Sequence, residues 1–157
     1  MHDLILLRHA AAMSESPDGR DSGRPLGPIG IQEAGAAGAW LREHGVRPER
    51  VLCSPARRAV MTAEAVLNEL GSDAEPVLEA GIYDAMPSTL IDLIEQHADA
   101  GTLLVIGHNP GMQQLLGLLT AGASSDARGM PPAGLAWLQA SAPLQPGAAK
   151  LHAFWSP

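Results

Sequence analysis

Two rhythms of apolar and polar residues alternate along this chain. Short unbroken apolar runs, at 4–7 (LILL) and 102–107 (TLLVIG), sit between longer stretches in which apolar residues recur every third or fourth position. An unbroken apolar run reads as a strand buried on both faces, and the three–four spacing as a helix with one buried side. The first strand is followed by residues 11–28, a long stretch rich in Gly, Pro, Ser and charge. Loops of that length inside a compact domain tend to be functional or mobile. A helix is expected over 29–45, with Ile31, Ala34, Gly38 and Leu41 on its buried stripe and Gly45 closing it. A short strand at 50–54 (RVLCS) precedes a second helix over 56–71, buried through Ala59, Thr62, Ala63, Val66 and Leu70.

A short strand over 75–80 follows, then a third helix over 87–101 with Thr89 and Asp92 spaced as a capping box. After the 102–107 strand, a helix over 109–122 has Asn109 placed as N-cap, Pro110 in its first turn, and Leu115, Leu116 and Leu119 facing inward. Two last strands, 134–140 and 148–155, are joined by a Pro/Gly turn and form an antiparallel edge. Strand and helix alternate over most of the chain. The expected class is therefore α/β: a three-layer α/β/α sandwich with a mainly parallel sheet and an antiparallel edge. At 157 residues, with no repeat or linker, the expectation is one domain spanning 1–157.

Composition narrows the function classes. Aromatic residues are only 3% of the chain, so the core must be aliphatic. A formal charge of -7 argues against a nucleic-acid surface, which needs a basic face. No apolar stretch approaches the roughly 20 residues of a membrane span, and the N-terminus lacks the basic start of a signal peptide. The lone cysteine, Cys53, permits no intramolecular disulfide. A cytoplasmic, monomeric protein with no membrane partner is the expectation.

Candidate chemistry gathers at strand ends. In open α/β sheets, ligands sit outside the carboxyl ends of the strands. The first strand ends on Arg8-His9, the second leads into Arg57-Arg58, and the fourth ends on His108 at the start of a helix. Brought to one rim, these residues make a pocket for a dianion, with phosphate the obvious candidate. Arginine binds phosphate oxygens through its planar fork and stays charged. A histidine with one ring nitrogen donating to a backbone carbonyl keeps a lone pair on the other and can attack phosphorus. The second histidine, if protonated, would add a donor, and the helix start beside it would add backbone N–H groups.

Arg8-His9, Ser54-Pro55-x-x-Arg58-Ala59-x-x-Thr62-Ala63 and Gly107-His108-Asn109-Pro110-Gly111, in that order, resemble the histidine phosphatase, or phosphoglycerate-mutase-like, superfamily. The length and Asp21-x-x-Arg24-Pro25-Leu26-x-x-x-Gly30 look most like its SixA-type phosphohistidine phosphatase branch. The resemblance implies a phosphoglycerate-mutase-like fold, with His9 as nucleophile, Arg8 and Arg58 on the phosphoryl oxygens, and His108 completing the pocket. Arg24 and Asn109 are expected to contact substrate. Neither cofactor nor metal is expected. Two departures stand out. Ala10 replaces the family's usual glycine after the Arg-His pair, which requires an ordinary backbone there. Glu15 stands where the mutases resemble a pattern with Asn, which counts against mutase activity.

The proton donor is less obvious. Larger members place an acid directly after the second histidine, where this chain has Asn109, and Glu79 and Asp84 are the alternative acids. An alkoxide leaving group needs a proton, whereas imidazole leaves far more readily. The expected partner is therefore a phosphorylated protein of the histidine phosphotransfer type, cleared through a phosphorylated His9. The alternatives are a small phosphomonoester or sugar phosphate, and a non-catalytic phosphoprotein-binding module. Cys53 and Arg58 do not make a cysteine phosphatase loop: their spacing is Cys-x4-Arg rather than Cys-x5-Arg, and Pro55 removes an N–H donor.

Overall fold

A computed structural model describes residues 1–126 and 128–157. In chain order the strands and helices are β1 (Asp3–Arg8), α1 (Pro28–Glu43), β2 (Arg50–Cys53), α2 (Arg57–Leu70), β3 (Val77–Leu78), α3 (Pro87–Glu95), β4 (Thr102–Gly107), α4 (Gly111–Ala121), β5 (Leu135–Gln139) and β6 (Lys150–Trp155). Strands pair in the order β3-β2-β4-β1-β5-β6. The first four are mutually parallel, while β5 runs antiparallel to both β1 and β6. This is the expected mainly parallel sheet with an antiparallel edge.

The unbroken apolar run of β1 follows from its place between two cores. Leu4 and Leu6 face one side, with Leu103 and Val105 of β4, Leu90 and Ile94 of α3, and Leu115, Leu116 and Leu119 of α4. Ile5 and Leu7 face the other, with Leu104 and Ile106 of β4, Leu41 of α1, and Val66 and Leu70 of α2. Successive strand residues point to opposite faces, so a strand covered on both sides must be apolar at every position. All four residues of the run are fully buried.

Three local expectations need correction. Ile31 is 49% exposed, and α1 instead buries Gly30, Ala34, Ala37, Gly38 and Leu41. Close approach decides that face. A Cβ on Gly38 would lie 2.7 Å from Glu69 Cβ and 2.9 Å from the Val66 carbonyl oxygen, and one on Gly30 only 2.0 Å from the Ala11 oxygen. The buried stripe is chosen for smallness, and the larger Ile31 turns outward. In α3, Pro87 starts the helix after Met86 with no side-chain cap, so Thr89 and Asp92 lie inside the helix rather than forming a capping box. In α4 the first helical residue is Gly111 and Pro110 takes the cap position. Asn109 still bonds the helix start, its Oδ1 accepting from Gln113 N at 3.3 Å.

Register then places the rim. Arg8 is level with Gly107 of β4, and Cys53 of β2 is level with Ile106. The hydrogen bonds continue one step past each strand: His9 N donates to the Gly107 oxygen at 3.0 Å, and Ser54 N to the Ile106 oxygen at 3.1 Å. His9, Ser54 and His108 therefore emerge side by side. Residues 11–28 fold back as a strap, with Ala12 bridging Leu26, Met13 N donating to the Pro25 oxygen, and a turn of 3-10 helix at Asp21–Gly23.

Candidate active site

One cavity of about 390 Å³ opens at this rim, lined by residues that include Arg8, His9, Arg24, Arg58, Asp84, His108 and Asn109. All six residues expected in the site from sequence thus border a single space.

The His9 ring is held by its near side. Its Nδ1 lies 2.8 Å from the Ala10 carbonyl oxygen. A carbonyl only accepts, so Nδ1 carries the proton and Nε2 keeps its lone pair. Arg58 Nε donates toward that lone pair at 3.3 Å. Burial first, and the positive charge of Arg58, Arg8 and Arg24, hold the His9 pKa down at about 4, against the carbonyl bond that favours the charged ring. The ring is therefore neutral at physiological pH, with the Nε2 lone pair unprotonated. In a proton NMR titration the His9 ring should turn over near 4 rather than at the ordinary 6.5. Below that midpoint Nε2 binds a proton and its lone pair is lost. A midpoint of about 6, close to that of a free imidazole, would mean that the ring is solvated and its neighbours do not act on it.

Thr62 explains why the second motif extends beyond its arginine. Fully buried one turn after Arg58, it donates to the Arg58 carbonyl oxygen at 2.7 Å and accepts from Ala10 N at 3.1 Å. It thereby ties α2 to the backbone just after His9. Ala10 is fully buried with an ordinary backbone, so the missing glycine costs nothing here. Ser54, also fully buried, accepts from Ala56 N at 3.2 Å, and its Oγ lies 2.7 Å from His108 Nε2. That contact fixes the second ring 5.1 Å from the first. Burial, followed by the nearby His9 and Arg58, lowers the His108 pKa to about 3, so without an anion in the cavity this ring is neutral too.

Asp21 joins the site from the strap. Arg58 donates to its carbonyl oxygen at 2.8 Å and to Oδ2 at 3.0 Å, and Arg24 donates to Oδ1 at 3.0 Å. The Tyr83 hydroxyl donates to Oδ2 as well. That hydroxyl first, then Arg24 and Arg58, hold the Asp21 carboxyl well below the usual range. Tyr83 also presents its edge to His108 and lies beneath the Arg58 guanidinium. Sequence reasoning gave neither Asp21 nor Tyr83 a role. The signals were the Asp21-x-x-Arg24 spacing and the fact that Tyr83 is the only tyrosine.

Two buried polar atoms among the described residues have no partner, Arg8 Nε and His108 Nδ1, and both belong to residues lining the cavity. Buried polar groups are normally satisfied. An anion's oxygens would bond the arginine nitrogen directly, and the imidazole nitrogen once it is protonated. Arg8 is anchored at its other end, NH1 donating to the Met130 oxygen at 3.0 Å. The Asn109 amide lines the cavity but spends its donors on the Met130 oxygen and Gln113 Oε1, at 2.9 and 3.0 Å.

The remaining candidates separate. Arg57 is exposed and Arg20 lines a neighbouring cleft on the strap. Glu79 lies 3.3 Å from His97 Nε2 and does not line the cavity, whereas Asp84 does. Cys53 is fully buried, and burial pushes its thiol up to about 12, which removes it as a nucleophile. No group of three or more metal-ligating side chains occurs among the described residues.

Residues 4–85 match the histidine phosphatase superfamily (branch 1). An uncharacterized protein of Mycobacterium tuberculosis is 39% identical, the match covering 96% of this chain and 99% of the relative. The chain belongs to the histidine phosphatase superfamily. Its structural likenesses place it with the SixA type. A protein of Agrobacterium tumefaciens assigned as phosphohistidine phosphatase SixA superposes with a TM-score of 0.87 at 28% identity, over 99% of this chain and 98% of that one. A protein from Nakamurella multipartitia with the same assignment gives 0.83 at 30% identity, over 99% and 96%. This histidine phosphatase has no helix, among its described residues, long and apolar enough to cross a membrane.

Proposed function

We propose that this phosphatase hydrolyses phosphohistidine on a phosphotransfer protein, without a metal, through a phosphorylated His9. The observation that carries the reading is the His9 ring itself, neutral, anchored through Nδ1, with Nε2 facing the guanidinium of Arg58. The Nε2 lone pair attacks phosphorus, and the bond from phosphorus to the leaving nitrogen breaks with its electron pair returning to that nitrogen. Arg8 and Arg58 take up the phosphoryl oxygens, supported by Arg24 at the edge. The resulting phosphohistidine is an imidazolium with its Nδ1 proton on Ala10. Water then displaces a neutral ring, and the proton lost by the water leaves with phosphate or solvent.

Two features favour phosphohistidine over other phosphate carriers. The position after His108 holds Asn109, whose amide is committed to Met130 and Gln113, so no acid stands there for an alkoxide. Two structures like this one, at 28 and 30% identity, carry the phosphohistidine phosphatase assignment. A second reading, a small phosphomonoester or sugar phosphate, is favoured by one observation, the Asp84 carboxylate bordering the cavity.

The test is phosphate release in EDTA from a phosphohistidine-bearing phosphotransfer protein and from 4-nitrophenyl phosphate. Faster clearance of the protein substrate supports the proposal. A clear preference for the aryl phosphate moves the substrate to small phosphomonoesters. Release from neither would remove the metal-free hydrolase and leave a phosphoprotein-binding module.

A further inference from the structure

Asp84 is an unusual residue in its place. It lines the cavity with Arg8, His9, Arg24, Arg58 and His108, and its φ is 54°, in the left-handed region. Aspartate tolerates that conformation better than most residues, yet glycine would adopt it without strain. The turn is fixed on both sides. Tyr83 N and Ala85 N donate back to the oxygens of Ala80 and Ile82, at 3.2 and 3.4 Å, and Ile82 is buried. The Ala85 oxygen lies against Gly111, 2.5 Å from where a Cβ would stand, so the start of α4 clamps the turn. Strain held by its surroundings is typical of working positions.

The neighbouring carboxylates are already engaged. Asp21 is shared between Arg58, Arg24 and Tyr83, and Glu79 lies against His97. None of the ion pairs among the described residues involves Asp84. An uncommitted carboxylate beside a dianion site opposes phosphate by like-charge repulsion. Its presence makes sense through the group that leaves. A phosphorylated imidazole departs as a neutral ring only when its remote nitrogen carries a proton, and that N–H needs an acceptor. An ordinary phosphomonoester offers no such donor.

We propose that Asp84 is a specificity-determining residue whose carboxylate accepts a hydrogen bond from the remote ring N–H of a phosphoimidazole, so that the site prefers phosphohistidine to O-phosphomonoesters. This role rests on the phosphohistidine reading given above. As His9 Nε2 bonds to phosphorus, the P–N bond to the substrate ring breaks and its electron pair returns to that ring nitrogen. The remote nitrogen keeps its proton, held by Asp84, and the ring leaves as neutral imidazole. Asp84 remains a carboxylate throughout.

The experiment compares kcat/KM of the wild type, Asp84→Asn and Asp84→Glu on phosphoimidazole, 4-nitrophenyl phosphate and glycerol 2-phosphate. Asparagine also tolerates the left-handed turn, so the fold should persist, as circular dichroism can check. Asp84→Asn keeps a neutral acceptor but loses the charge, so it should lower kcat/KM on phosphoimidazole by about 5- to 10-fold, the difference between a hydrogen bond to a charged and to a neutral acceptor. On 4-nitrophenyl phosphate the same variant should be about twofold faster, because a like charge has been removed. Asp84→Glu should recover part of the phosphoimidazole rate. A parallel fall on all three substrates would make Asp84 merely structural, and an unchanged phosphoimidazole rate would remove its role outright. Selective loss on glycerol 2-phosphate would recast it as a proton donor to an alkoxide and overturn the proposal. Wild type inactive on phosphoimidazole but active on 4-nitrophenyl phosphate would sink the substrate reading and this role together. A fully active wild type with unaltered selectivity in Asp84→Asn sinks only the role.

Discussion

His9→Ala should lower phosphate release by at least about 10⁴-fold, the scale seen when a covalent nucleophile is deleted. The loss should fall on every substrate alike, because on the proposed covalent route the missing group is the one that bonds phosphorus. The fold should survive. Among the described residues the ring's polar bonds run only to the adjacent carbonyl and to Arg58, and neither apolar core includes it. Circular dichroism and thermal unfolding should therefore resemble those of the wild type. Wild type quenched during turnover should carry phosphate on protein in an acid-labile, alkali-stable form, and the variant none. Turnover by a well-folded His9→Ala protein would reject the covalent route.

Arg58→Ala should cost about 10² to 10³ in kcat, comparable to losing a principal oxyanion donor. Its side chain is only 6% exposed and its nitrogens reach both the His9 ring and Asp21, so no neighbour can swing in to replace it. Lysine should not restore the rate, because a single ammonium cannot span Nε2, the Asp21 carbonyl and its carboxylate at once. The measurement is kcat against 4-nitrophenyl phosphate in both variants. A loss of under about tenfold in Arg58→Ala would place the principal oxyanion contact elsewhere, with Arg8 the next candidate.

Much of this architecture was legible in the residues because strand burial writes itself directly into sequence. Leu4–Leu7 and Leu103–Ile106 had to be apolar at every position, and the polar residues following them had to lie at a rim. Helix faces were harder. Ile31 was expected inward on hydrophobicity alone, but helix packing favoured the glycine and alanine face, and no count of apolar residues reveals a backbone approach of that kind. The start of α3 moved because Pro87 takes its first position, whereas in α4 Pro110 itself takes the cap and Asn109 bonds the helix from one residue earlier. In the site, the motif residues carried their own signal, since a charged residue at the end of a buried strand has few bland explanations. The support around them did not. Tyr83 and Asp21 lie 62 residues apart and meet only through the folded strap. Ser54 and Thr62 stood in the second motif, Thr62 on the expected buried stripe, but their partners, His108 and the Ala10 N–H, appear only in the fold. Glu79 and Asp84 were equivalent as acids in sequence, and only the tertiary placement of His97 separated them.

The flush rim built by β1, β2 and β4 has a consequence for how this chain can change in length. A strand advances about 3.3 Å per residue, and each step reverses the side chain's face. Deleting one residue within Leu4–Leu7 would draw His9 back from the rim by that distance. It would also swap which leucines enter which core, so a single lost codon there would damage chemistry and folding together. The stretch between β5 and β6 is free of that register, because both strands lie on the far side of β1 from β4 and β2. It is pinned, however, at Leu144, which is buried in the core and donates its N–H to Glu95, and at Gly147, whose N–H bonds the Leu118 oxygen. Insertions should therefore be tolerated beside the exposed Gln145 and Pro146, between those two anchors, and purged before the rim. Within this sheet, freedom to vary in length is set by distance from the nucleophile's strand.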